Sequence, residues 1–426
     1  MKNKAFLSLI AIAMLLNAAM GQDPDHQEIK PVKDFQLSLI PFIGTDGADA
    51  INNTYRLSVN ILAGITGGIE GAEAGGFLNI TRGNVRGVQV SGFGNLVSGD
   101  LRGIQGAGFI NVAGGDVQAL RGSGFLNISG GSFKGFTGAG FANIAGGHHQ
   151  GFTGAGFANV TGGNYRGFAG AGFANVTGGN HQGFAGAGFA NVTGGNFMGF
   201  QGAGFGNFTG GDVYGPQLAG FMNTAGNVRG IQAAGFLNIA REVEGIQLGF
   251  INIADTITGL PIGFLSIVRR GGLRQFEISG SDALHVGAAF RIGVPAFYNI
   301  FSVGYRPFDS GQTGGFGYGV GTAIALSEAL VMNIEAHSTQ LRKDWSWKGR
   351  ETDMLNEGRL MLGVNAGNRI QLFAGAVLYN HFYRDCPDCH QASADIAPSR
   401  VFYERNHRNY TSKYWFGARA GLRMGI

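Results

Sequence analysis

Charge, proline and cysteine are all scarce in this 426-residue chain. Only 14% of residues are charged, 9 are proline and 2 are cysteine. Low charge combined with 44% hydrophobic residues argues against disorder. Scarce proline, and glycines that do not recur every third residue, exclude collagen. The net charge of +4 comes from 31 basic and 27 acidic side chains, a small excess that gives nucleic-acid binding no support. No stretch beyond the N-terminus is apolar for 18 residues, so no transmembrane helix is expected. Also missing are a Gly-x-Ser-x-Gly elbow, a His-Glu-x-x-His pair and a phosphate-binding loop. The expectation is a non-enzymatic protein with no catalytic residues and no cofactor.

Glycine is abundant: 78 residues, against a typical share of about 7%. At the N-terminus, Lys2 and Lys4 precede an apolar run from Phe6 to Leu16, and Ala19-Met20-Gly21 offers a small-residue cleavage site. Residues 1–21 therefore read as a secretory signal peptide, and the apolar run is too short to anchor in a bilayer. An exported chain without a membrane helix can be embedded only as a closed barrel.

From about Gly71 to Arg269 the chain repeats itself. A Gly-Phe-x-Asn motif places phenylalanine at 77, 93, 109, 125, 141, 157, 173, 189, 205 and 221, then at 236, 250 and 264. The period is 16 residues, shortening at the end. Asparagine follows two positions later, and an aliphatic such as Val160 three positions later. A further apolar residue such as Val88, Phe136 or Ile231 lies five positions before the marker. So short a unit cannot bury its own apolar face and must stack on its copies. Two short strands and two glycine corners fit in sixteen residues, whereas two membrane-spanning strands of about 9–11 residues do not. The repeats predict a parallel β-solenoid of about thirteen coils, roughly 60 Å long at about 4.8 Å per coil. Phe141, Phe157, Phe173 and Phe189 would form an apolar column, and Asn143, Asn159, Asn175 and Asn191 a hydrogen-bonded ladder. One difficulty is that the marker and the aliphatic three positions on have opposite strand parity, which requires a corner or bulge between them.

Within the repeats, Asn159-Val160-Thr161 matches a glycosylation sequon, which the geometry of the repeat explains more simply. Thr161, Thr177, Thr193 and Thr209 are too few for an ice-binding array, and no Asp-rich calcium pattern appears. His148, His149 and His181 read as solvated turn residues, at positions that hold Tyr165 or Phe197 elsewhere.

Alternating strands flank the repeats. Eight candidates follow: 273–281, 285–292, 297–306, 316–326, 329–341, 359–366, 370–383 and 414–426. Phe35–Ile40 and Tyr55–Ile61 precede them. In the last strand, Tyr414, Phe416, Ala418, Ala420, Leu422, Met424 and Ile426 share one face, while Arg419, Arg423 and glycines share the other. That pattern suits an outer-membrane barrel better than a soluble sandwich or lipocalin-like barrel. The expected architecture is all-β: signal peptide 1–21, linker and first strands 22–70, solenoid 71–269, and antiparallel barrel 270–426. Ten barrel strands are expected, with the solenoid inserted between two of them. Glu335 and His337 share a strand face and read as lumen residues.

The segments LSLIPFIGTD and YRLSVNILAGITGGIEGAEAGGFLNI, the Gly-Phe-x-Asn repeats, and PIGFLSIVRRGG with FEISG together resemble the bacterial surface-repeat proteins. These are exported glycine-rich proteins of Gram-negative bacteria. The resemblance implies an outer-membrane or cell-surface location and no established reaction; the partners expected are outer-membrane lipid and a surface protein or glycan. A barrel pore or small-solute channel is the alternative. A second alternative is haem or redox chemistry at Cys386-Pro-Asp-Cys389-His390, which has the spacing of covalent haem attachment. A local disulfide between Cys386 and Cys389 suits an oxidising compartment better, and a zinc site drawing on His381 and His390 is weaker still.

Overall fold

A computed structural model describes residues 31–307, 312–343, 353–367, 369–384, 396–407 and 410–426. Residues 1–21, read above as a signal peptide, and Cys386, Cys389 and His390 lie outside these residues. The structure is 73% strand and contains a parallel β-solenoid of about 13 turns and a closed antiparallel barrel of eight strands. The chain divides into two compact units, one reaching Ala234 and the other beginning at Gly235.

In the first unit each regular coil has a seven-residue strand, a corner, a four-residue strand and a second corner. Tyr165–Ala171 followed by Ala174–Thr177 is one example. Every residue pairs with its counterpart one coil away, Asn159 with Asn175 and Phe152 with Phe168. The marker phenylalanine sits in the corner before the short strand. That corner resolves the parity conflict: Asn175 and Thr177 point inward from the short strand while Val176 points outward. A glycine near the start of each long strand keeps the coils close. Gly167 has φ +136°, and a Cβ there would lie 1.9 Å from the Gly151 carbonyl oxygen, so only glycine fits. One coil departs from this rule. Val117–Ser123 carries Ala119 instead and runs as a regularly alternating strand.

The two N-terminal strands belong to this stack. Val32–Ile40 pairs in parallel with Thr54–Asn60, which pairs in parallel with Gly68–Gly75. The barrel consequently has eight strands rather than ten, and the solenoid precedes it instead of interrupting it. Parallel register with the first coils outweighs the alternation that made these strands look barrel-like.

The second unit opens with the coil strands Leu237–Leu248, Ile251–Ile262 and Leu265–Val268. Eight barrel strands follow: Leu273–Ser281, Val286–Val294, Phe297–Arg306, Thr313–Ala325, Leu330–Lys343, Asp353–Ala366, Ile370–Arg384 and Tyr410–Gly425. Each pairs with the next, and the last closes on the first, Ile278 opposite Leu422. A short strand, Tyr403–His407, pairs only with the start of the last barrel strand.

Candidate functional site

Inside the solenoid, four columns of side chains run from coil to coil. The asparagines form the ladder expected of them. Asn143 Nδ2 donates to Asn159 Oδ1 at 3.0 Å, Asn159 to Asn175 at 2.9 Å, and Asn175 to Asn191 at 2.9 Å. Each amide also donates across the core to a main-chain carbonyl, as Asn175 does to Gly186 at 2.8 Å. A second column holds Glu73, Gln89, Gln105, Arg121, Thr137 and Thr153, all buried. Burial pushes the Glu73 carboxyl up to about 7, opposed by donors from Gln89, Asn60 and Thr81. A third is made of small residues such as Thr177 and Thr193.

The fourth column corrects the reading of the histidines. His149 and His181 are buried, stacked in series with Phe133, Tyr165 and Phe197 at ring spacings of 4.5–4.8 Å. Burial pulls both imidazoles down to about 4, so they are neutral aromatic fillers and not solvated turn residues. Only His148 stays at the surface. There its Nδ1 accepts the Asn164 main-chain N–H at 2.9 Å. It belongs to an outer ladder in which each corner side chain accepts from the next coil, as Asn164 Oδ1 does from Asn180 N at 2.8 Å. The sequence carried this signal: in each coil from Gly114-Gly115 to Gly210-Gly211, the pair is followed by Asp, Ser, His or Asn, all side-chain acceptors.

The marker phenylalanines stack as expected, Phe141 on Phe157, Phe173 and Phe189 in turn at 4.8–4.9 Å with planes within 2°. They do so on the outside. Phe141, Phe157, Phe173 and Phe189 each keep 40–41% of their surface exposed. Amide ladders satisfy one another along the axis, so the interior can be polar and the rings are displaced to the corner.

The barrel lumen is filled by ions. Arg291, Arg359, Arg419 and Arg423 meet Glu277, Glu335 and Glu357, all at most 8% exposed. Arg423 Nε donates to Glu277 at 2.8 Å, and its Nη atoms reach Asn333 at 2.7 Å and Glu335 at 3.2 Å. Glu335 also pairs with Arg291 and accepts from Tyr298 OH at 2.9 Å. Glu357 pairs with Arg359 and, at 3.2 Å, with Arg419. Above this layer Leu284, Leu341, Leu355, Tyr379, Ile396 and Trp415 form an apolar plug. Eight-stranded barrels are narrow enough for side chains to fill.

His337 Nε2 lies 2.8 Å from Ser302 Oγ, and its Nδ1 faces the Thr339 hydroxyl at 3.4 Å rather than a carboxylate. The adjoining cavity measures about 10 Å³, room for about one water. His381 pairs with Asp353 at 2.7 Å. Among the described residues no group of three His, Cys, Asp or Glu is placed to hold a metal.

On the barrel exterior, Leu360, Leu362, Val364, Leu372, Phe416 and Met424 are exposed. From Tyr414 to Met424 the last strand runs about 33 Å at 3.3 Å per residue, or roughly 25 Å of height at a 40° tilt. A hydrogen-bonded row bounds this band: Ser338 to Asn356 at 2.7 Å, Asn356 to Asn380 at 3.0 Å, Asn380 to Ser412 at 2.8 Å. Beyond the row lie Phe382 and Tyr410, stacked at 5.1 Å. No family model, curated protein or solved structure matches this chain.

Proposed function

We propose that this is a non-enzymatic protein of the Gram-negative outer membrane, in which the barrel is the anchor and the solenoid a surface scaffold. The observation that carries this reading is the reversed polarity of the barrel. Its lumen holds a closed ion network, and its exterior presents an apolar band about as tall as a bilayer core, edged by polar and aromatic residues. A water-soluble barrel has the opposite distribution. The filled lumen favours an anchor over a channel, and the outer ladder of corner side chains offers a regular polar edge to a surface protein or glycan.

Membrane fractionation tests the anchor. The protein should sediment with outer membranes, resist carbonate extraction, and migrate differently on gels before and after boiling. Release as a soluble protein would overturn it. In planar bilayers the purified protein should carry no steady conductance; a stable open current would replace the anchor reading with the channel.

A further inference from the structure

The first unit of the solenoid has two unlike edges. At the glycine-rich corners and the first residues of each long strand lie Arg86, Asp100, Arg102, Asp116, Lys134 and Arg166, all exposed. The rest of each coil, from Ala72–Thr81 to Pro216–Ala225, contains only two charged side chains, Glu73 and Arg121, and both point inward. The outward positions there are apolar. Eight of the ten marker rings from Phe77 to Phe221 are 37–51% exposed, and beside them runs a column with Ile104 at 46%, Leu120 at 58% and Phe136 at 61%. The marker rings alone present on the order of 600 Å², taking 150–250 Å² per aromatic side chain. That already matches the largest apolar patch of an ordinary soluble monomer, about 300–600 Å².

We infer that this phenylalanine edge is a lipid-binding surface, on which the solenoid lies along a membrane with its charged edge in water. Three observations select lipid. First, the backbone at the apolar corners is already satisfied: Phe93 N donates to Phe77 O, Phe109 N to Phe93 O and Phe173 N to Phe157 O, each at 2.9 Å. Backbone facing hydrocarbon must be paired internally, and here it is. Second, within the other unit a column of the same marker residues runs onto the barrel's apolar exterior. Phe236, Phe250 and Phe264 stack in series, and Phe264 packs on the outward-facing Phe301 and Tyr318 at 5.4 and 5.0 Å. Third, the segregation of charge matches that of interfacial elements, polar on one side and apolar on the other. The nine steps from Phe77 to Phe221 cover roughly 43 Å at 4.8 Å each, more than the hydrocarbon thickness of about 30 Å. A spanning orientation would also drag the charged edge through the bilayer. The solenoid therefore lies on the surface. This goes beyond the anchor reading; only the second observation rests on that reading, and the other two stand without it.

Spin labels test the inference in the full mature chain, reconstituted in phosphatidylethanolamine–phosphatidylglycerol vesicles on a C386S/C389S background. Labels at Phe173→Cys and Ile104→Cys report the apolar edge, Gln182→Cys the charged edge, and Leu360→Cys the barrel exterior. The expected result is relaxation by oxygen and loss of contact with a water-soluble nickel chelate at 173 and 104, with the reverse at 182. Nickel contact at 173 and 104 would overturn the inference. So would protection from both reagents with spin–spin broadening, which would mean that a second copy of the chain covers the edge. The Leu360 label separates the two readings. Lipid at 360 with water at 173 sinks this inference alone, and water at 360 with lipid at 173 sinks the barrel anchor alone.

Discussion

The solenoid interior sets an apolar column beside neutral amide ladders and is almost uncharged, whereas the polar part of the barrel interior is held together by ions. In the solenoid, Asn159, Asn175 and Asn191 are identical groups stacked at the coil spacing, so each donates to the next and none needs a counter-charge. In the barrel no two lumen positions are equivalent. Arg423 is satisfied by Glu277, Glu335, Asn333 and Gln371, reached from three different strands. Repetition allows neutral amides to satisfy one another along an axis. A closed cross-section requires complementary charges to meet across it. Both solutions leave apolar side chains on the outside, and in both units that outer surface is the one proposed to meet lipid.

The comparison breaks most sharply at Glu335. Removing one member of a buried ion network leaves the remaining charges uncompensated, at a cost of about 3–5 kcal/mol. Glu335→Gln would leave Arg291, Arg359 and Arg423 sharing fewer anions. The temperature of the boiling-dependent mobility shift should drop clearly, while hydrogen exchange in the solenoid coils stays unchanged. An unaltered shift temperature would mean the network contributes nothing to barrel closure.

A smaller effect, confined to acid, belongs to the aromatic column. His149 has a folded pKa of about 4 against 6.5 for the free group. The stability tied to its neutral form is complete above pH 6.5 and is lost as pH falls towards 4, by roughly 3 kcal/mol. Phenylalanine already occupies the equivalent positions 133 and 197, so His149→Phe should fit. The variant should match the parent near pH 8 and protect the coil amides better near pH 4.5. Glu73, held near 7, acts in the opposite sense and loses stability as pH rises from 4.5 to 7. Comparing variant with parent at each pH therefore isolates the histidine. Equal protection at both pH values would show that burial does not hold the imidazole neutral.

Much of this architecture was legible in the sequence. The sixteen-residue period gave the solenoid, because a strict repeat allows only stacking in register. Alternation located all eight barrel strands; the first and third, 273–281 and 297–306, match end for end, while the sixth, expected at 359–366, begins six residues earlier at Asp353. What the sequence did not disclose was direction. Phe173 and Asn175 recur equally well, and hydrophobicity alone would place the phenylalanine inside. The asparagine takes the interior because its amide pairs with the coils on both sides and with a carbonyl across the core, which only a stacked geometry reveals. The same logic misplaced His149 and His181, whose column could be recognised only by noting that Val, Leu, Phe and Tyr hold the equivalent positions. Glu335 was placed in the lumen by strand parity, but its partners lie 44 and 88 residues away and no local pattern joins them.

The smallest effect expected is a gain, at the buried cation where the solenoid departs from its neutral chemistry. Arg121 is buried at 3% exposure in the column that holds Gln89 and Gln105 in the two preceding coils. Its guanidinium reaches only neutral partners, Ser129 Oγ at 2.9 Å and Ile128 O at 3.0 Å, and burial pulls its pKa down. Gln105 already donates to Gln89 at 2.8 Å, while its own Oε1 finds no donor. Arg121→Gln would extend the glutamine ladder by one coil and supply that donor. It would also remove a buried cation that lacks a carboxylate. Two bonds to Ser129 and Ile128 are lost in exchange, so the net gain should be about 1 kcal/mol, read as slower amide exchange in Val117–Ser123 and its neighbouring coils. Faster exchange would mean that the column needs a charge at this level. The contrast between a neutral solenoid and an ionic barrel would then fail at its own exception.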